Sequence, residues 1–331
     1  VTFAVPENVA STRPAIAGVA GCVIYSATDC VNRGTVTVSG MFAAGSYDKA
    51  DTTVPIAGAG GSVQPQFGGI VASLGKNTND ATQKMENCIN YGTIDYKLFM
   101  INTGGTAPRY GGLVGFSTVN IADCRNYGDI KATSNHHTNY VGGIVGESRL
   151  TVSDCQNDGT ITYSVDASKL EVAKPTLILG GIVGLAKGEV ANCTNNCKLE
   201  INTIATINQI GGIIGTAVKG IATCTNNGPM VVDLMNSTTQ QWIAGIAGYI
   251  NNTDAINIAS CTNYASIDVK NGKNTTTFNY VGGISGNNAT NNLTFSECIN
   301  EGKLTTNCEM KTRLGGICGA HSGTMKACEN H

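Results

Sequence analysis

Apolar and polar residues alternate with a period of two in short bursts, and the bursts recur along the whole chain. In Cys155-Gln-Asn157-Asp-Gly159-Thr-Ile161 the odd-numbered positions form one face, which predicts a strand buried on that side. Three positions before each such cysteine stands another apolar residue, Val152 in this copy and Ile121, Val190 and Ile221 in others. An odd spacing cannot keep both side chains inside along one regular strand, so a bulge or corner is expected between them. A third burst reads small-Gly-aliphatic-x-Gly, as in Gly142-Gly143-Ile144-Val145-Gly146. No segment holds an apolar period of 3.6 over ten or more positions, so helices are not expected.

These bursts belong to one unit that occurs nine times. Its second glycine is Gly18, Gly69, Gly112, Gly143, Gly181, Gly212, Gly245, Gly283 and Gly316. Its cysteine is Cys30, Cys88, Cys124, Cys155, Cys193, Cys224, Cys261, Cys298 and Cys328. Its asparagine follows two positions later, at Asn32, Asn90, Asn126, Asn157, Asn195, Asn226, Asn263, Asn300 and Asn330. Cysteine-to-cysteine steps fall as low as 30 and 31 residues, which sets the minimal turn. Three short extended segments per turn predict an all-β fold: a parallel β-helix, or β-solenoid, of about nine coils. Coils stacked about 4.8 Å apart would make a rod roughly 40 Å long. Residues 1–331 read as one solenoid domain, expected to be a piece of a longer chain.

The extra length between units gathers at one corner, chiefly in 35–67, 93–110 and 160–179, with a second corner lengthening modestly. Insertions on one edge of a repeat array are where specific function is usually carried. Phe42, Tyr47, Tyr96, Phe99, Tyr110 and Tyr163 lie in or beside these stretches, with Asp48 and Arg109 among them. If exposed, such rings form platforms for sugars or protein partners; the alternative is that they pack the loops onto the coil wall.

The asparagines are expected to form an inward ladder, notably Asn90, Asn126, Asn157, Asn195, Asn226 and Asn263. Each can take a left-handed corner conformation and pass amide hydrogen bonds between coils. The ladder cysteines are expected to be buried free thiols, since parallel stacked side chains make poor disulfide geometry. Off the ladder, Cys308 with Cys318 is the pairing to test. Without a CxxC, and with 4 histidines, no metal or other cofactor is expected. The glycine-rich 180–188 lacks Walker spacing and recurs in every unit, so it is no phosphate loop. Asp123 and Asp154 should stack on one outer face, where they could bind calcium or act as acid and base; a solvated corner is the plainer reading.

Net charge is −2 with 13% charged residues and no Lys/Arg run, which gives no electrostatic footprint for nucleic acid. No apolar stretch is long enough to span a bilayer as a helix.

Gly112-Leu113-Val114-Gly115 resembles the Gly-Leu-hydrophobic-Gly core of the GLUG-motif repeats of bacterial surface and adhesin-like proteins, notably of Bacteroidetes. Gly143–Gly146, Gly181–Gly184 and Gly212–Gly215 are close variants, with Ile for Leu, and the likeness covers almost all of 17–331. It implies coil architecture and an extracellular, cell-surface setting, and brings no catalytic residues. The expected function is therefore a non-enzymatic surface segment, adhesin or stalk, binding a glycan or a surface protein through its loop edge. A polysaccharide lyase or glycoside hydrolase built on a β-helix is the second reading, and a purely structural spacer the third.

Overall fold

The computed structural model describes residues 1–4, 15–43, 65–76, 78–101, 107–134, 138–166, 176–235, 237, 239–251, 254–273, 277–288, 292–309 and 311–331, the side chains of 41–43, 100 and 101 excepted. They form five parallel sheets of nine strands each, so the chain is a nine-coil parallel β-helix. No helix occurs among the described residues. One coil shows the plan: segment a is Arg109–Gly111, b is Val114–Ser117, c is Asn120–Ala122, d is Arg125–Asn126 and e is Ile130–Ser134. Two-residue bends join a to b and c to d in every coil, which leaves three extended runs per turn, a–b, c–d and e. The three residues between d and e are equally constant. Length varies only between e and a, where 35–67, 93–110 and 160–179 fall, and between b and c, where residues 75–83 make the longest connection.

The odd apolar spacing has a clear cause. The residue before each ladder cysteine is left-handed: Asp29, Asn87, Asp123, Asp154, Asn192, Thr223, Ser260, Glu297 and Ala327 have φ between 48° and 55°. That single turn lets Val152 and Cys155 both point inward, at 0% and 1% exposure. The left-handed corner was expected at the ladder asparagine and instead falls three residues earlier. Asp and Asn recur there because they tolerate this conformation best after glycine.

The ladder itself is continuous. Asn32 Nδ2 donates to Asn90 Oδ1, Asn90 to Asn126, and so on to Asn330, eight links of 2.8–3.3 Å. The same amides serve their own corner: Asn90 Nδ2 donates to the Gly92 carbonyl, and the Gly92 N–H donates to Asn90 Oδ1. Backbone groups that a leucine would leave bare are thereby satisfied. The invariant glycine stands opposite. A Cβ at Gly143 would run into the Gly181 carbonyl and the Asn157 amide, so only glycine lets the two limbs of the coil meet.

That contact divides the interior into two apolar columns. One holds Leu113, Ile144 and Ile182 with the buried ladder cysteines Cys88 to Cys298. The other holds Phe67, Tyr96, Tyr110, Ile161 and Tyr163. Each ladder thiol donates to the carbonyl two residues before it, as Cys155 does to Ser153 at 3.0 Å. All thirteen cysteines are free. Burial together with the Cys124 thiol pushes the Cys155 thiol up, and hydrogen bonds from neighbouring thiols with burial do the same for Cys193 and Cys224. The suggested Cys308–Cys318 pairing is not made, because the two pack against different columns.

Candidate functional site

The aromatic residues expected on the loop edge divide between wall and interior. Tyr96, Tyr110 and Tyr163 are buried at 0%, 1% and 1% exposure, and Arg109 at 7%. The exposed platform is therefore not built from them. Tyr96 continues the inward parity of Ile94 and Leu98, and Tyr163 that of Ile161 and Val165, so they are strand residues of the second column. Tyr96, Tyr110 and Phe67 pack ring on ring, with centroids 5.0–5.4 Å apart. Phe99 lies half-buried on the same long strand as Tyr96. Phe42 lies in the strand paired with it, while its side chain and the whole of Tyr47 and Asp48 fall outside the described residues.

Asp123 and Asp154 do occupy adjacent coils in register, but their backbone conformation accounts for them. Asp154 Oδ1 accepts from Asn192 Nδ2 at 3.1 Å. Among the described residues no group of three His, Cys, Asp or Glu is placed to hold a metal ion.

A different outer line gathers chemistry. The residue before the inward apolar position of segment a points outward and stacks coil on coil: Gln66, Arg109, Tyr140, Ile178, Gln209, Trp242, Tyr280 and Arg313. Seven residues later, on segment b, stands a second line: Ser73, Phe116, Glu147, Leu185, Thr216, Tyr249 and Asn287. Within a coil the two lines face each other across the two-residue a–b bend, and between coils segment b packs its glycine flat on segment a of the preceding coil. A Cβ on Gly146 would meet the Tyr110 backbone. Across the bend of one coil, Trp242 and Tyr249 lie with ring centroids 4.7 Å apart at 32°. Thr216 Oγ1 donates to Gln209 Oε1, and the Arg109 guanidinium sits 4.7 Å from the Phe116 ring centre. One coil beyond Tyr280, Arg313 lies over the Phe278 ring at 4.5 Å and the Tyr280 ring at 5.5 Å.

Trp242, Tyr249 and Tyr280 are half-buried, each keeping part of its ring at the surface. The Trp242 indole N–H has no hydrogen-bond partner among the described residues, nor has either amide atom of Gln66. Burial pushes the Tyr249 phenol up; at Tyr140 burial and then Glu147 do so against Arg109. These positions had a signal in the sequence: they flank each apolar glycine hexapeptide, as in Trp242-Ile-Ala-Gly-Ile-Ala-Gly-Tyr249. A separate cleft of about 390 Å³, lined by Lys219, Ile221 and Ile256 among others, lies beside segment c and holds no aromatic ring.

The fold and this outer line define a β-solenoid with an asparagine ladder and an aromatic, polar stripe along its length. Comparison with known protein families, with curated proteins and with solved structures finds no match in any of the three.

Proposed function

We propose that the chain is a non-enzymatic solenoid segment of an extracellular bacterial surface protein of the GLUG-repeat kind, and that it binds a glycan along the outer stripe. One observation carries the reading: Trp242 and Tyr280 stand in register on adjacent coils, and with Tyr249 against Trp242 they offer half-buried rings along the stripe. Aromatic rings give sugar faces a flat apolar surface. Stacking at about 4.8 Å per coil repeats the same contact for a polymer lying along the axis. The stripe borders the corner between segments e and a, where the long insertions fall, so the loop edge and the stripe would form one surface.

A second outward aromatic pair competes with it. Tyr91 and Tyr127 stack at 5.2 Å and 9°, each 43% exposed, with Arg33 over Tyr91. A glycan array screened with the native chain, with Trp242→Ala/Tyr280→Ala and with Tyr91→Ala/Tyr127→Ala separates the two. The proposal expects the first variant to lose binding by roughly thirtyfold or more, the size of a hot spot. Loss confined to the second variant would move the site to the other aromatic pair. Cleavage of a bound polysaccharide would replace the reading with an enzymatic one, and a chain that binds no glycan would leave the spacer.

A further inference from the structure

The stripe changes character where three cations converge on one carboxylate. Arg109 Nε donates to Glu147 Oε2 at 2.6 Å, Lys187 Nζ stands 2.9 Å from Oε1, and Arg149 Nε 3.7 Å from it. The Glu147 side chain is 1% exposed. Burial works to raise its carboxyl, but Arg109 and Lys187 outweigh burial and hold it below its ordinary value. A single cation would neutralise this carboxylate, and Arg109 already makes the closest pair. Arg149 and Lys187 therefore leave the cluster with an excess of two positive charges, in a chain whose net charge is −2. Their side chains are 23% and 41% exposed, while Arg109 Nη1 is buried with no hydrogen-bond partner among the described residues. The surroundings are apolar, for Phe116 lies under both Arg109 and Arg149, at 4.7 and 5.4 Å. Uncompensated charge against a low-dielectric wall attracts an anion more strongly than the same charge in open solvent.

We infer that Arg149 and Lys187, backed by Arg109, form a subsite for the carboxylate or sulfate of an acidic glycan lying along the stripe. This rests on the glycan reading of the stripe and adds the charge of the ligand. Glu147 holds the three cations together, and the rings of Trp242 and Tyr280, two and three coils beyond Lys187 on the same stripe, take the uncharged sugar faces. Guanidinium and ammonium groups donate charge-assisted hydrogen bonds to such an anion, and these weaken as salt rises wherever the site is open.

The test compares an oligogalacturonate with its methyl ester by titration calorimetry, and adds inorganic sulfate as a sugar-free probe in thermal melts. The expectation is that the acid binds about tenfold or more tightly than the ester, as charge-assisted bonds imply. Lys187→Gln and Arg149→Gln should each erode that preference while leaving ester binding little changed, Arg109 still pairing with Glu147; Lys187→Arg should restore it. Equal affinity for acid and ester would overturn the subsite and leave the glycan reading standing. Stabilisation by sulfate that is lost in both Gln variants, with no oligosaccharide bound, would support the subsite and overturn the glycan reading. Binding of neither the acid nor sulfate would overturn the subsite outright.

Discussion

The two apolar columns on either side of the asparagine ladder are built by different rules. In the first, one register position reads Ile70, Leu113, Ile144, Ile182, Ile213, Ile246 and Ile284 from coil to coil. In the second, an equivalent line reads Val38, Tyr96, Ala132, Tyr163, Ile201, Val232 and Val269. The first line lies behind bends of constant length, the left-handed residue and glycine, so each coil offers its neighbour the same space there; where the same column meets the variable b–c connection, its line runs from Ala27 and Met85 to Ile258 and Phe295. The second is closed by the corner whose length varies, and its coils share space unevenly: Ala132 lies between Tyr96 and Tyr163, small between large. Close packing constrains both columns, but similarity from coil to coil is demanded only where the backbone path repeats, as it also does in the second column beside the constant d–e link, where the line reads Val36, Ile94, Ile130, Ile161 and Leu199.

The sharpest way to break this division is to remove the contact that makes it. Gly143→Ala places a methyl group against the Gly181 carbonyl and the Asn157 amide, and the backbone there has nowhere to move. A loss of about 4 kcal/mol or more is expected in chemical denaturation, the size that marks a backbone clash in a core. Ile182→Ala, in the uniform column, should cost about 3 kcal/mol, since coils above and below cannot collapse into the space. Asn157→Ala should cost about 2 kcal/mol, because Asn126 Nδ2 loses its buried acceptor and Asn195 Oδ1 its donor. Thr223→Asn should stabilise by about 1 kcal/mol, as a β-branched residue is replaced by one suited to φ of 54°. The smallest effect is expected in the variable column. Tyr96→Phe removes a buried hydroxyl that has no partner among the described residues, so stability should be unchanged or raised by up to about 1 kcal/mol. A Tyr96→Phe loss as large as that of Ile182→Ala would show that the second column is specified as tightly as the first.

Glu147 adds a pH dependence away from both columns. Its folded pKa is lowered, so it contributes stability that is present above its unfolded value of about 4.3 and is lost as pH falls through the lower folded one. Acid melts of Glu147→Gln should lack that component.

Coil count, inward parity and the two ladders were legible because all three follow from a local period and its repetition. Cys155, Asn157 and Ile161 face inward for the reason their spacing implies, and the odd step from Val152 to Cys155 requires a corner wherever the chain goes. Tyr96 and Tyr163 show the limit of reading by neighbourhood. They stand beside long insertions and were grouped with them, although the parity of Ile94-Asp-Tyr96-Lys-Leu98 places the ring inside. Arg109 shows a second limit, since its partner Glu147 is 38 residues away and on another coil.

The sequence by itself determined the repeat, the strand faces and the step that must hold a corner, because each depends on the stereochemistry of a few consecutive residues. Which outward side chains meet was decided only by the tertiary structure. Trp242 meets Tyr249, and Arg109 meets Phe116, across the a–b bend of a single coil, while Arg109 reaches Glu147 because segment b lies flat on segment a of the coil before it. That approach needs a glycine without a side chain, a fixed bend and a neighbouring coil in register, and only the folded stack supplies all three at once.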